Sequence, residues 1–367
     1  MRAGSEHKLK AIVVTPRKQG SLRTQDVPLP IRGKKQALLK VLRIGICGTD
    51  RDIISGFYGE APEGSDYLVL GHESLCRIES VGGSADGLKK GDLVVPTVRR
   101  NCPENCISCR NGQSDMCYTG HYREHGIKQL HGFASEFALS DISFIVKLPE
   151  SLSTVGVLLE PATIVEKGLL QSNSLQNARL KWEPDRVLVL GAGPVGLLAT
   201  AILRLRGFSV DTVATRSRDS LKARLVEATG AKYVNSKEVS LDSLDHKYDM
   251  VFELTGNPSV ATKAQDLIGV NGVVCFLGIY REDQETQNSG RVFTDLVLGN
   301  KLHFGSVNAN RTYFESGAKD LANIEKKWPQ LLGRMITRKE TPDNPEKAYS
   351  PESEEEIKTI VEFSNVG

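Results

Sequence analysis

The chain has 367 residues, 40% of them hydrophobic, and its 47 basic and 45 acidic side chains leave a formal net charge of +2. That is length for two to three domains of roughly 150 residues, and so even a charge balance supplies no field to attract nucleic acid or an anionic membrane. No apolar run approaches the roughly 18 residues of a membrane span, and Met1-Arg2-Ala3-Gly4-Ser5-Glu6-His7-Lys8 leads toward a strand rather than a secretory core, so a cytoplasmic protein with a small-molecule partner is expected.

Residues 9–14 and 37–41 are β-prone, with Pro28, Pro30 and Gly33 punctuating the interval. Next come Cys47-Gly48-Thr49-Asp50 and, at short range, Gly71-His72-Glu73. A thiolate, an imidazole and a carboxylate are three zinc-ligand types, and the glycines let the backbone turn tightly around an ion. Any one such Cys or His is more often a core residue than a ligand, so the assignment of a catalytic zinc leans on two further features of the chain, a cluster of four cysteines and a glycine-rich turn. Residues 68–71 and 93–96 continue the rhythm of short strands broken by Gly and Pro, which predicts a partly open β-barrel with the ion site on its loops.

Four of the seven cysteines, Cys102, Cys106, Cys109 and Cys117, fall within 16 residues. In a reducing compartment that favours a metal over disulfides, and a closed four-sulfur shell leaves no position for substrate, so this zinc is structural. Cys76 and Cys275 sit in apolar runs and read as packing residues. Residues 132–146 read as further strand. A helix is predicted to begin at Pro161, with Glu160 just ahead of it at the helix entry.

Composition changes at Trp182-Glu183-Pro184-Asp185, the expected domain boundary. An apolar strand over 186–190, the turn Gly191-Ala192-Gly193-Pro194-Val195-Gly196 and a helix over 197–206 come in the order a dinucleotide site requires. The glycines let the backbone approach a pyrophosphate, whose charge the helix N-terminus meets. An acidic residue is usual about 20 residues beyond such a turn when NAD is preferred. Ala214 stands there, followed by Thr215-Arg216-Ser217-Arg218, whose guanidinium and hydroxyl groups suit a 2′-phosphate; NADP is therefore expected to be preferred, with NAD possible. Further βα units run through 210–214, 220–229, 248–254, 259–267 and 273–277, so a parallel sheet should place Thr255, Gly278, Val307 and Asn308 beside the cofactor. Beyond about Arg311 the pattern becomes amphipathic helix, then an acidic run over 352–356 read as a solvated loop, then a strand over 357–363.

Gly45-Ile46-Cys47-Gly48-Thr49-Asp50-Arg51, Leu68-Val69-Leu70-Gly71-His72-Glu73, Gly91-Asp92-Leu93-Val94-Val95-Pro96 with Arg99-Arg100, the cysteine loop, the glycine turn and Glu356-Ile357-Lys358 together resemble the medium-chain zinc-dependent dehydrogenases, and within them the archaeal-type glucose dehydrogenases. The resemblance implies an α/β chain with a GroES-like β-barrel catalytic domain, residues 1–183 and 312–367, and an inserted Rossmann domain with a doubly wound parallel sheet, residues 184–311. It implies a catalytic zinc on Cys47, His72, Glu73 and Glu160, a second zinc on the four cysteines, and sugar contacts from Thr49, Glu124, Glu160 and Asn308. It extends the cofactor set to Leu277, Gly278, Ile279, Ser306, Val307, Asn308 and Lys358. A homo-oligomer, dimer or tetramer, is implied as well.

Three departures stand against the family pattern: the first cysteine gap is three residues rather than two, and Val98 and Ile164 occupy places that are polar in some members. The expected reaction moves a hydride from the anomeric carbon of an aldose, glucose or a close relative, to NAD(P), giving the lactone. Alternatives are a polyol or alcohol dehydrogenase and a non-catalytic NADPH sensor. The intact set of Cys47, His72 and Glu73 argues against the sensor, which needs no open zinc.

Overall fold

The computed structural model describes residues 8–83, 87–244, 247–280 and 289–364. The chain forms two compact units, one of Met1–Glu160, Asn308–Ala322 and Leu332–Gly367, the other of Pro161–Val307 and Asn323–Leu331. The division at Glu160 falls earlier than the expected 183/184 because the helix Leu159–Asn177 packs on the second unit's sheet: a Cβ on Gly168 would stand 3.0 Å from Cys275 Sγ and from the Phe252 ring.

In the first unit, strands Arg23–Pro28, Lys8–Val14 and Leu68–Val69 form one antiparallel sheet. A seven-stranded sheet runs from Ile145–Lys147 through Leu93–Pro96, Glu73–Val81, Gln36–Gly45 and Lys358–Glu362 to Ile336–Glu340, with Phe137–Asp141 also paired to Gln36–Gly45. Both sheets bury residues in one core that includes Ile12, Val14, Val41, Ile44, Leu68, Leu70 and Phe133. Each such fully buried side chain contributes about 1.5–3 kcal/mol of transfer free energy. The strand near the C-terminus pairs Ile360 with Gly45, so the barrel draws on both ends of the chain.

Several local expectations are corrected. Residues 132–146 do not form one strand; a 3-10 turn at Ile142–Phe144 separates Phe137–Asp141 from Ile145–Lys147. The helix predicted from Pro161 starts at Leu159, so Glu160 lies in its first turn. After the helix Arg311–Lys327 the chain adds a strand, Ile336–Glu340, parallel to Lys358–Glu362. The acidic run is not wholly solvated either: Glu356 turns back to Arg338, at 3.3 Å, and to the Thr359 hydroxyl, at 2.6 Å.

Among the described residues the second unit holds six parallel strands in the order Lys232–Asn235, Ser209–Ala214, Arg186–Leu190, Tyr248–Glu253, Ile268–Phe276, Leu302–Gly305. The strand order reverses beside Arg186–Leu190, which is where a doubly wound sheet opens a crevice for a ligand. Val187, Leu188 and Val189 are wholly buried, as a parallel strand covered on both faces requires.

Candidate functional site

Cys47 caps the short helix Gly48–Ile54: its sulfur accepts from the Thr49 N–H at 3.3 Å, and Asp50 Oδ2 accepts from the Cys47 N–H at 3.0 Å. The strand Glu73–Val81 and the turn before it bring His72 Nε2 to 3.0 Å from Cys47 Sγ. The other ring nitrogen, Nδ1, faces buried Asp50 Oδ1 at 3.4 Å. Glu73 pairs with Gly45 across the sheet, and a Cβ at position 45 would stand 2.2 Å from Glu73 Oε2, so a larger residue there would displace that carboxylate. That same oxygen accepts from Lys358 Nζ at 2.6 Å, and the ammonium also donates to the Ile46 carbonyl at 3.1 Å.

Cys47, His72 and Glu73 each turn a donor atom to one point, the three atoms lying within 4.8 Å of one another. The charges around it are unbalanced. Burial disfavours a charged His72, yet Cys47 and Asp50 hold it well above its ordinary value. Burial pushes Glu160 up to about 7 against the pull of His72, with the Glu73 and Asp50 carboxylates adding to the rise and Lys358 opposing it. Lys358 is itself raised despite its burial, chiefly by Glu73 and Cys47. Four acidic groups thus face two basic ones, and buried like charges of this kind are held together where a cation joins them. The donor set fits a divalent, borderline-soft ion such as zinc, with Asp50 placed to fix the imidazole so that Nε2 is the ligand.

The four sulfurs of Cys102, Cys106, Cys109 and Cys117 also lie within 4.8 Å of one another, and a tetrahedron of Zn–S bonds needs edges of about 3.8 Å. Backbone N–H groups point at them: Cys106 N–H to Cys102 Sγ at 3.3 Å and Cys102 N–H to Cys109 Sγ at 3.4 Å. N–H groups of Cys109 and Tyr118 hold the Cys106 thiol down to about 6. The Cys106 and Cys117 sulfurs are 3.9 Å apart, a metal-shell spacing rather than a disulfide. Cys76 and Cys275 are buried, and burial pushes the Cys76 thiol up to about 12, as packing residues require.

Of the residues assigned to sugar binding, Glu124 and Asn308 are brought together, Asn308 Nδ2 donating to Glu124 Oε1 at 2.7 Å. Thr49 lies beside Tyr58, whose hydroxyl burial holds above its ordinary value, with Thr49 opposing the rise and the Cys47 and His72 charges acting on it as well. Lys358, grouped with the cofactor residues in the sequence, instead lies buried under Glu73; at 1% exposure it offers a dinucleotide no surface.

In the second unit, the helix Pro194–Leu205 starts from an N-cap at Gly193. Gly191 has φ +109°, a Cβ on Gly193 would meet nothing within 4 Å, and one on Gly196 would sit 1.9 Å from the Gly191 carbonyl. These are the three needs of a pyrophosphate turn: a tight bend, open backbone and close helix packing. Beyond Ala214, which ends its strand, Thr215 and Arg218 are exposed and Arg216 is half-buried, its carbonyl accepting from Tyr233 at 2.8 Å. Thr255 is tied by its N–H, at 2.7 Å, and by its hydroxyl to Glu253. The backbone N–H groups of Leu277 and Gly278 reach the Glu253 carbonyl, and Ile279 and Val307 are more than half exposed. The Ser306 N–H donates to the Phe276 carbonyl at 3.1 Å.

Sequence reasoning passed over Glu253, which also accepts from the Tyr280 hydroxyl, and Lys167, fully buried with Nζ on the Val307 carbonyl at 2.9 Å. It also passed over Tyr58 and Tyr349. An acid ending the apolar strand Tyr248–Glu253 was a legible signal; the tyrosines gave none, since only tertiary pairing brings them to Cys47.

Residues 33–150 match the model of the alcohol dehydrogenase GroES-like domain, and residues 153–363 that of the glucose dehydrogenase C-terminus. The chain is 45% identical over 360 residues to a glucose 1-dehydrogenase of Methanocella arvoryzae, covering 97% of this chain and 99% of that one. It is 45% identical over 356 residues to glucose 1-dehydrogenase 1 of Caldivirga maquilingensis, with coverage of 97% and 99%. Among solved structures, the glucose dehydrogenase of Haloferax mediterranei in complex with NADP, Zn and gluconolactone matches with a TM-score of 0.88 at 32% identity, covering 97% and 99% of the two chains.

Proposed function

The chain belongs to the zinc-type medium-chain alcohol dehydrogenase superfamily, in its glucose dehydrogenase-like branch, and from that premise we propose that it oxidises glucose or a close aldose at the anomeric carbon, with NADP as the preferred acceptor. The observation that carries the reading is the convergence of Cys47, His72 and Glu73 on one point amid an excess of buried acid. A protein that merely senses NADPH has no use for such a cluster.

Cys47, His72 and Glu73 would hold the catalytic zinc, Glu160 standing outside that three-donor cluster though it feels the charges of His72 and Glu73, and the four loop cysteines would hold the structural one. When bound, the catalytic ion would supply Lewis acidity at the substrate oxygen and NADP a hydride-accepting nicotinamide. The remaining work belongs to side chains. Asp50 keeps His72 oriented, and Lys358 holds Glu73 in place while limiting its charge. Thr49, beside Cys47 and Tyr58, is the hydroxyl through which the substrate proton would leave. Glu124 and Asn308, an acceptor and an amide, suit sugar hydroxyls. Arg216 and Arg218 follow a strand that ends in Ala214, so the strand end itself sets no carboxylate against a 2′-phosphate. Assembly as a dimer or tetramer and a cytoplasmic location complete the proposal; Leu302–Gly305, an edge strand of the parallel sheet among the described residues, and the exposed Phe293, Val297 and Leu298 support self-association.

Turnover of aldoses, polyols and primary alcohols, each with NADP and with NAD, tests the reading. Glucose or an epimer with NADP should lead the panel; equal or better turnover of simple alcohols would contradict it.

A further inference from the structure

Arg99 pairs with Glu124 across the short antiparallel strands Arg99–Arg100 and Arg123–His125. Its guanidinium, 6% exposed, spends its donors in two directions. Nε and Nη2 both approach Glu124 Oε1 at 2.9 Å, while Nη1 donates to the carbonyl of Asp115 at 3.1 Å. Asp115 belongs to the 3-10 turn Ser114–Met116, immediately before Cys117. The face of the guanidinium lies on the Tyr122 ring, 3.6 Å from its centroid, so the fork cannot swing. A second tie reaches the same turn from the other side: Asn310 Nδ2 donates to Asp115 Oδ1 at 2.9 Å, two residues after Asn308. Asn308 itself, held in a left-handed conformation with φ +59°, donates to Glu124 Oε1.

The donors from Arg99 and Asn308 therefore converge on one oxygen of Glu124, which leaves Oε2 as the atom for a ligand. We propose that Arg99 and Asn310 are positioning residues that register the cysteine loop against the sugar-recognising pair Glu124 and Asn308, so that the loop sets sugar affinity as well as stability. The proposal rests on the reading that Glu124 and Asn308 contact sugar. A fork bridging a carboxylate and a backbone carbonyl fixes the carboxylate in direction as well as distance, which a lysine at the same place does not.

Asn310→Ala removes the second tie without touching Glu124, and Arg99→Lys keeps the charge while removing the fork. On the NADPH-loaded, zinc-replete protein, the calorimetric Kd of glucose should weaken roughly tenfold in each, the order expected for losing one charge-assisted or buried hydrogen bond. The KM for glucose should rise in step, with kcat within about threefold of wild type, the KM for NADP unchanged and the zinc content intact, as expected when an interaction outside the bond-making step is lost. Glu124→Gln serves as the control for direct contact. If Glu124→Gln raises the glucose KM while both positioning variants keep KM and Kd within about twofold, the inference is overturned and the sugar reading stands. If Glu124→Gln leaves glucose binding unmoved, the sugar reading fails and takes the inference with it. Should Asn310→Ala lose zinc or fail to fold, Arg99→Lys decides alone.

Discussion

In the loop from Cys102 to Cys117 every donor is a sulfur, all four come from 16 consecutive residues, and backbone N–H groups satisfy the thiolates. At the other centre a sulfur, an imidazole and a carboxylate arrive from a helix cap and the start of a strand, and a buried ammonium takes part of the carboxylate's charge. The first arrangement gathers four donors from local chain; the second gathers three and holds them by tertiary contacts. A loop that can form its shell alone serves stability, whereas a cluster that depends on the surrounding barrel is arranged for an incoming ligand.

Substitutions should separate the two centres. Cys47→Ser is expected to lower kcat/KM at least about 100-fold, since Lewis acidity at the reacting oxygen is worth several kcal/mol; steady-state turnover beside a melting curve checks it, and full activity with a normal melting temperature would undo the assignment. Lys358→Met leaves Glu73 as an uncompensated buried carboxylate, a loss of about 3–5 kcal/mol that denaturant unfolding reads and that added zinc should offset in part. Arg216→Ala should raise the KM for NADP about tenfold, some 1.4 kcal/mol, while hardly changing that for NAD; wild type favouring NAD tenfold would show that this arginine does not read the phosphate.

The smallest effect concerns a buried histidine that contrasts with His72. Burial and the Arg100 guanidinium hold His125 well below its ordinary value, and its ring stacks on Phe133 at 4.5 Å. A group whose folded value is depressed contributes stability that is complete above the unfolded value, about 6.5, and is lost as pH falls from there toward the folded one. Unfolding free energy should therefore decline below about pH 6.5, and His125→Phe should flatten that slope by at most about 1.4 kcal/mol per pH unit. An unchanged slope would mean that other groups carry the acid sensitivity.

Legibility in the sequence divides along the same line between local and tertiary. The glycine turn and the cysteine loop carry their chemistry within one short segment, so spacing alone located them. Cys47, His72 and Glu73 are close enough in sequence to be noticed together, and the sheet pairing of Gly45 with Glu73 explains how they meet. The resemblance sets Lys358 with the cofactor, and nothing in its sequence neighbourhood reveals a partner 285 residues away. Arg99 stood in view only as one of a pair of basic residues; its role emerges from a register that sets it opposite Glu124. The extra strand Ile336–Glu340 is hidden because, although its residues alternate between partly buried and exposed, none after Ile336 is apolar.

Two zinc ions with separable duties are the central claim, and the direct test is the zinc content of wild type, Cys47→Ser and Cys106→Ser by elemental analysis, with a melting curve on each. Wild type should hold two ions per chain. Cys47→Ser should hold fewer than two with its melting temperature nearly kept, whereas Cys106→Ser should lose the loop ion and melt several degrees lower. One ion or none in wild type, or a Cys106→Ser protein as stable as wild type, would contradict the account.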